Sequence, residues 1–120
     1  MNLEIHQEGD SRIAELIADH LLVTNAEDGL QLLVDLYYQD FEKIILHEKN
    51  ITPDFFDLKT GIAGEVLQKF SNFRVQLVIV GDFNKYPGKS IRDFIFESNK
   101  GRLINFLPRV EAAKERLSKY

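Results

Sequence analysis

Apolar and polar positions follow a period of two near the start of the chain and a helical period afterwards. Leu3 and Ile5 alternate with polar neighbours, Glu8-Gly9-Asp10 has turn chemistry, and Arg12 to Ile17 returns, so the chain is expected to open with short strands. Leu21-Leu22-Val23 either extends that region or leads into the first helix. Asn25 or Thr24 can cap a helix through about Gln39, with Glu27 and Asp28 favoured in its first turn by the helix dipole. Leu30, Leu33, Val34 and Tyr37 share one face of it, and Glu27, Gln31, Asp35 and Gln39 form a polar stripe. Ile44-Ile45-Leu46 is a continuous apolar run, as in a strand covered on both faces. Thr52-Pro53-Asp54 can open a short helical piece around Phe55. A longer helix is expected from about Thr60 to Phe70, with Ile62, Val66, Leu67 and Phe70 inward.

Val75 to Val80 is the clearest strand, and Gly81 to Gly88 reads as loop. Ser90, with Asp93 three residues on, predicts a capped helix to about Ser98, stopped in the left-handed region at Asn99-Lys100-Gly101. Leu103 to Leu107 follows as a strand, and Arg109 to Ser118 as a helix with Val110, Ala113 and Leu117 inward. The order is a β start followed by α-β-α-β-α-β-α. Such alternation builds an α/β domain whose late strands are parallel in a mixed sheet, and whose working loops gather at the C-terminal edge of the strands.

Length and composition narrow the possibilities. The 120 residues suffice for one domain with its own core, and 44% hydrophobic with 28% charged residues is ordinary for a folded chain. The absence of cysteine excludes disulfide scaffolds, zinc ribbons, iron–sulfur clusters and thiol catalysis. No apolar run is long enough to span a membrane and the first residues lack signal-peptide character, so a cytoplasmic location is expected. Residues 1–57 carry 3 Lys/Arg against 13 Asp/Glu, and residues 58–120 carry 12 against 6. A nucleic-acid-binding domain is normally basic throughout, so that role is disfavoured. The opposed halves are instead expected to mix on the surface, with a homodimer one way of pairing them.

Complete catalytic signatures are missing. Gly81 to Ser90 ends in Gly-Lys-Ser like a phosphate-binding P-loop, but Phe83 occupies the position of the first required glycine and Pro87 has no N–H to donate. A weaker anion site remains, built from Lys85, Lys89 and the N–H groups near Ser90. Asp54 and Asp57 are spaced three apart and can serve as paired carboxylates, while Gly61 and Gly64 share a helix face suited to close helix–sheet packing. His6, His20 and His47 are scattered, and His47-Glu48 does not continue into a metalloprotease motif, so no metal or cofactor is expected and His47 reads as a hydrogen-bonded, half-buried side chain. No Gly-x-Ser-x-Gly elbow exists. Tyr37-Tyr38, Phe55-Phe56 and Phe94 with Phe96 cannot each turn both rings inward, so some aromatic surface is expected to be exposed or shared.

Three runs carry a family resemblance: Lys43 to Glu65 (KIILHEKNITPDFFDLKTGIAGE), Gly81-Asp82-Phe83, and Ser90 to Gly101 without its Phe96. They resemble an uncharacterised bacterial family, domain of unknown function 4180, over nearly the whole chain. That resemblance implies no activity. More distantly, the buried strand, Phe56-Asp57, Thr60-Gly61-Ile62, a helix and the strand 75–80 look like a STAS domain of the anti-sigma-antagonist type. That likeness implies a STAS-like single domain, with Thr60 as phospho-acceptor and Asp57 as its acidic neighbour. Here Leu58-Lys59 adds a residue between them and replaces the small residue usual in that family. Phosphate at Thr60 would stand at a helix start beside Lys59, an arrangement electrostatics permits.

Two functions follow as expectations. The first is a non-enzymatic interaction or regulatory module whose rim (Asp54, Asp57, Lys59, Thr60, Asp82, Lys85, Lys89, Ser90 and Arg92) meets a protein partner or a small anionic ligand. The alternative is a small enzyme at the same rim, with Asp54 or Asp57 as base and Lys89 or Arg92 holding an anion.

Overall fold

In the computed structural model, which describes residues 1–119, the chain opens with strands β1 (Asn2–Glu8) and β2 (Ser11–Ile17). There follow helix α1 (Ala26–Tyr37), strand β3 (Lys43–His47), helix α2 (Ile62–Phe73), strand β4 (Gln76–Val80), helix α3 (Lys89–Lys100), strand β5 (Ile104–Leu107) and helix α4 (Val110–Ser118). The five strands form one sheet in sequential order: β1 and β2 make an antiparallel hairpin, and β2 through β5 run parallel. This is the α/β plan expected from the alternation of the sequence.

Period two in the parallel strands sends successive side chains to opposite faces. Ala14, Leu16, Ile44, Leu46, Leu77 and Ile79 pack with Leu33, Val66, Phe70 and Ile91 from α1, α2 and α3. Ile13, Ile45, Val78 and Val80 pack with Ala113 and Leu117 of α4 on the other face. The apolar runs of β3 and β4 are continuous because helices cover both sides. Gly29 of α1 is where the first two helices meet, since a Cβ there would stand 2.7 Å from Val66 Cγ2. Lys43 closes the opposite face, donating from Nζ to the Leu117 carbonyl at the end of α4 and to Ser11 Oγ, both at 2.6 Å.

The local expectations hold in places and shift in others. Asn25 caps α1 through its side chain, which accepts from the Asp28 N–H at 2.8 Å, and Thr52 accepts from Asp54 N–H to open a 3-10 turn at Pro53. Leu22 and Val23 lead into the helix while donating to the Asn50 carbonyl. Ser90, however, is not the cap of α3. Gly88 holds that position at φ 110°, a left-handed backbone region that glycine enters without a Cβ clash, and the helix begins at Lys89. The stop at Gly101 is extended, with φ −87° and ψ −174°, rather than left-handed. Helix α2 starts at Ile62, after Thr60 and a left-handed Gly61, and Gly64 faces open space, so neither glycine serves close helix–sheet packing. Tyr37 is exposed because the buried stripe of α1 runs through Gly29, Leu33 and Leu36 instead. Phe55 and Phe56 both point inward, which a 3-10 turn allows and a strand would not; Tyr38 and Phe96 stay largely exposed.

Candidate functional site

Because β3 and β4 are adjacent and parallel, the segments leaving their C-terminal ends emerge side by side. After β3 the chain makes three short 3-10 turns, Glu48–Asn50, Pro53–Phe56 and Leu58–Thr60; after β4 it makes one, Phe83–Lys85, before α3. Their contact is intimate. A Cβ on Gly81 would lie 2.5 Å from the Cβ of Glu48, so glycine is needed for the two segments to leave the sheet together. Glu48, itself buried, accepts a hydrogen bond from the Tyr86 hydroxyl and pairs with Lys85 Nζ at 2.8 Å. Burial, then the hydrogen bond to Glu48 and the charge of that carboxylate, hold the Tyr86 hydroxyl well above the usual phenol range. The Tyr86 ring stacks on Phe56, with centroids 4.3 Å apart and planes 19° apart.

Between the two segments lies a groove of about 420 Å³. Phe56, Leu58, Tyr86, Pro87 and Ile91 form its apolar lining, and Asp57, Lys59, Lys89 and Ser90 supply its polar groups. Helix α3 begins inside it with no side-chain cap. A helix start carries the positive end of the backbone dipole, and here two lysines stand beside it. Lys89 Nζ pairs with Asp93 at 2.7 Å across one turn, and that hydrogen bond and charge raise its pKa.

Of the nine rim residues read from the sequence, the groove therefore gathers Asp57, Lys59, Lys89 and Ser90. The other five border the two loops without lining it. Asp54 is exposed, and its backbone carbonyl accepts from Thr60 Oγ1 at 2.7 Å. The Thr60 hydroxyl also lies 2.9 Å from the Asp57 carbonyl, so its proton ties the turn together, while its oxygen accepts from Ile62 N–H at the start of α2. The Asp57 side chain accepts from Lys59 N–H and the Asp82 side chain from Asn84 N–H, each capping a 3-10 turn. Lys85 is engaged by Glu48, and Arg92 is exposed on α3. The sequence reading missed Glu48, Tyr86 and Phe56. Glu48 is charged yet follows directly on a buried strand, and that signal marks a side chain which must find partners inside.

The whole is an α/β domain with a mixed five-stranded sheet and a two-loop groove at the carboxyl edge of its parallel strands. The family model for a domain of unknown function, DUF4180, matches residues 8–117, and the chain belongs to that family. No curated protein and no solved structure shows significant similarity to it. Among the described residues no helix is long and apolar enough to cross a membrane.

Proposed function

We propose that this protein is a non-enzymatic, STAS-like interaction and regulatory module, and that the groove between its two crossover loops takes an acidic segment of a partner protein. One observation carries the reading: Leu58, Tyr86 and Pro87, backed by buried Phe56 and Ile91, form an apolar lining that shares the groove with Lys59 and Lys89 at an uncapped helix start. Such a surface offers apolar contact area together with positive charge, the combination that binds a peptide bearing a carboxylate or phosphate beside an apolar side chain. The enzymatic alternative needs Asp54 or Asp57 as a base beside Lys89 or Arg92. Asp54 and Arg92 lie outside the groove lining, and Asp57 stands in solvent, engaged in capping its own turn, which favours binding over acid–base chemistry.

The test is amide chemical-shift mapping with two synthetic peptides, one with Glu and Leu alternating and one with Lys and Leu alternating. The acidic peptide is expected to shift the amides of Lys59, Lys89 and Ser90 and to lose its effect when Lys59→Glu and Lys89→Glu are combined. Equal responses to both peptides, or a response untouched by the double substitution, overturns the proposal.

A further inference from the structure

The hairpin and strand β3 bring together four chemistry-bearing side chains on the α4 face of the sheet, opposite the face that α1, α2 and α3 cover. Glu4 of β1 stands directly opposite Glu15 of β2 in the antiparallel register. Like charges opposite one another destabilise a sheet, so this pair calls for a positive partner. Two imidazoles flank it. His6, two residues along β1 on the same face, places Nε2 at 2.8 Å from Glu15 Oε1; His47, at the end of β3, places Nε2 at 2.7 Å from Glu15 Oε2. The Glu15 side chain is only 8% exposed, and those of His6 and His47 are 16% and 20% exposed. Glu4 is exposed and forms the mouth. One ligand atom each from Glu4, His6 and Glu15 lie within 4.8 Å of one another. Ligands about 2 Å from a common ion stand roughly 3–4 Å apart, so small side-chain rotations bring the three onto one centre.

We propose that Glu4, His6 and Glu15 bind a divalent transition-metal ion of the zinc class, with His47 as the positioning residue that donates to the second oxygen of Glu15. Each part has a role. The ion neutralises the opposed carboxylates; one imidazole among oxygen ligands favours zinc over magnesium; and His47 holds Glu15 to a single ligating oxygen, as outer hydrogen bonds do around metal-bound carboxylates. Three protein ligands leave a fourth position open at the Glu4 mouth. The sequence gives little sign of this site because its members come from three strands, and only the register unites them.

The experiment uses the tag-free chain stripped with chelator and titrated calorimetrically with zinc chloride, then with magnesium chloride. One zinc per chain is expected, with a rise in melting temperature, and magnesium is expected to bind far more weakly. Glu4→Gln alters an exposed side chain and leaves the fold intact by circular dichroism. It and His6→Gln are each expected to remove the calorimetric signal, while His20→Gln leaves it unchanged. His47→Gln should weaken zinc by about 10–100-fold, the usual effect of losing an outer hydrogen bond to a ligand. Cobalt(II) substituted at the site should give a visible spectrum that His47→Gln perturbs, which a purely structural role would not do. Absence of zinc uptake, zinc affinity unchanged in folded Glu4→Gln and His6→Gln, or equal affinity for magnesium overturns the proposal.

Discussion

Phe56 and Tyr86 lie on different crossover loops and stack nearly parallel, ring centroids 4.3 Å apart. Phe56 also contacts Phe55 edge-on at 5.0 Å and Phe83 at 5.8 Å, so it is the ring through which the first loop meets the second. With 3% of its surface exposed, it contributes as a core residue does. Phe56→Ala is expected to cost about 3–5 kcal/mol of unfolding free energy, the range for removing a buried aromatic ring. Urea denaturation measures it. A loss below about 1 kcal/mol would mean that the groove floor packs independently of the core.

The Tyr86 hydroxyl gives a second, separable prediction. Tyr86→Phe keeps the stack but leaves buried Glu48 with Lys85 as its remaining partner, so a loss of about 1–3 kcal/mol is expected at neutral pH. The sign of the pH dependence follows from the raised pKa. The folded state holds the Tyr86 proton more tightly than the unfolded state, so this stabilisation is complete below about pH 10 and declines as pH rises from there toward the folded-state pKa. Wild type should therefore lose stability above about pH 10 more steeply than Tyr86→Phe. In ultraviolet titration, a late-ionising tyrosine component should vanish in the variant.

Gly81, just before the second loop, and Gly64, just after the first, should respond to alanine with opposite signs. At Gly81 a new Cβ meets Glu48 Cβ at 2.5 Å, a contact that forces one loop away from the other; a loss of about 1–3 kcal/mol is expected, as for overpacking. At Gly64, in the first turns of α2, a Cβ meets open space, and alanine should gain about 0.5–1 kcal/mol by restricting the unfolded chain. Thermal melts of the two single variants decide this. A stabilising Gly81→Ala would show that the loops separate without penalty.

How far the sequence discloses this molecule depends on the range of the interaction concerned. The element order, the hairpin and the two-faced burial of β3 are local in origin: alternation around Leu3 and Ile5, the triplet Ile44-Ile45-Leu46, and the cap at Asn25 each act within a few residues. Helix starts are less legible, because Ser90 with Asp93 suits a helix beginning at Ile91 while Gly88 suits one beginning at Lys89, and only the backbone at Gly88 decides between them. Pairing two crossover loops follows from parallel strands in general, yet the choice of Glu48 and Tyr86 as the clasp depends on side chains 38 positions apart. The Glu15 cluster lies further still from sequence reading: a charged residue within the otherwise apolar stretch from Ile13 to Ile17 is the only local sign that His6 and His47 converge on it.

Lys43 supplies the last prediction, on the face the groove does not use. Its ammonium donates to the Leu117 carbonyl, an orphan acceptor at the end of α4, and to Ser11 Oγ at the start of β2. Burial depresses its pKa, only partly offset by the charge of Glu42, so the ammonium is held at an energetic cost that those hydrogen bonds compensate. Lys43→Met keeps the aliphatic packing and removes both bonds. The last turn of α4 should then fray, with faster amide hydrogen exchange in the residues around Leu117 and a global loss of about 1 kcal/mol, while exchange in β3 and β4 stays slow. Uniform acceleration across the sheet would instead mean that Lys43 supports the whole α4 face and not its final turn alone.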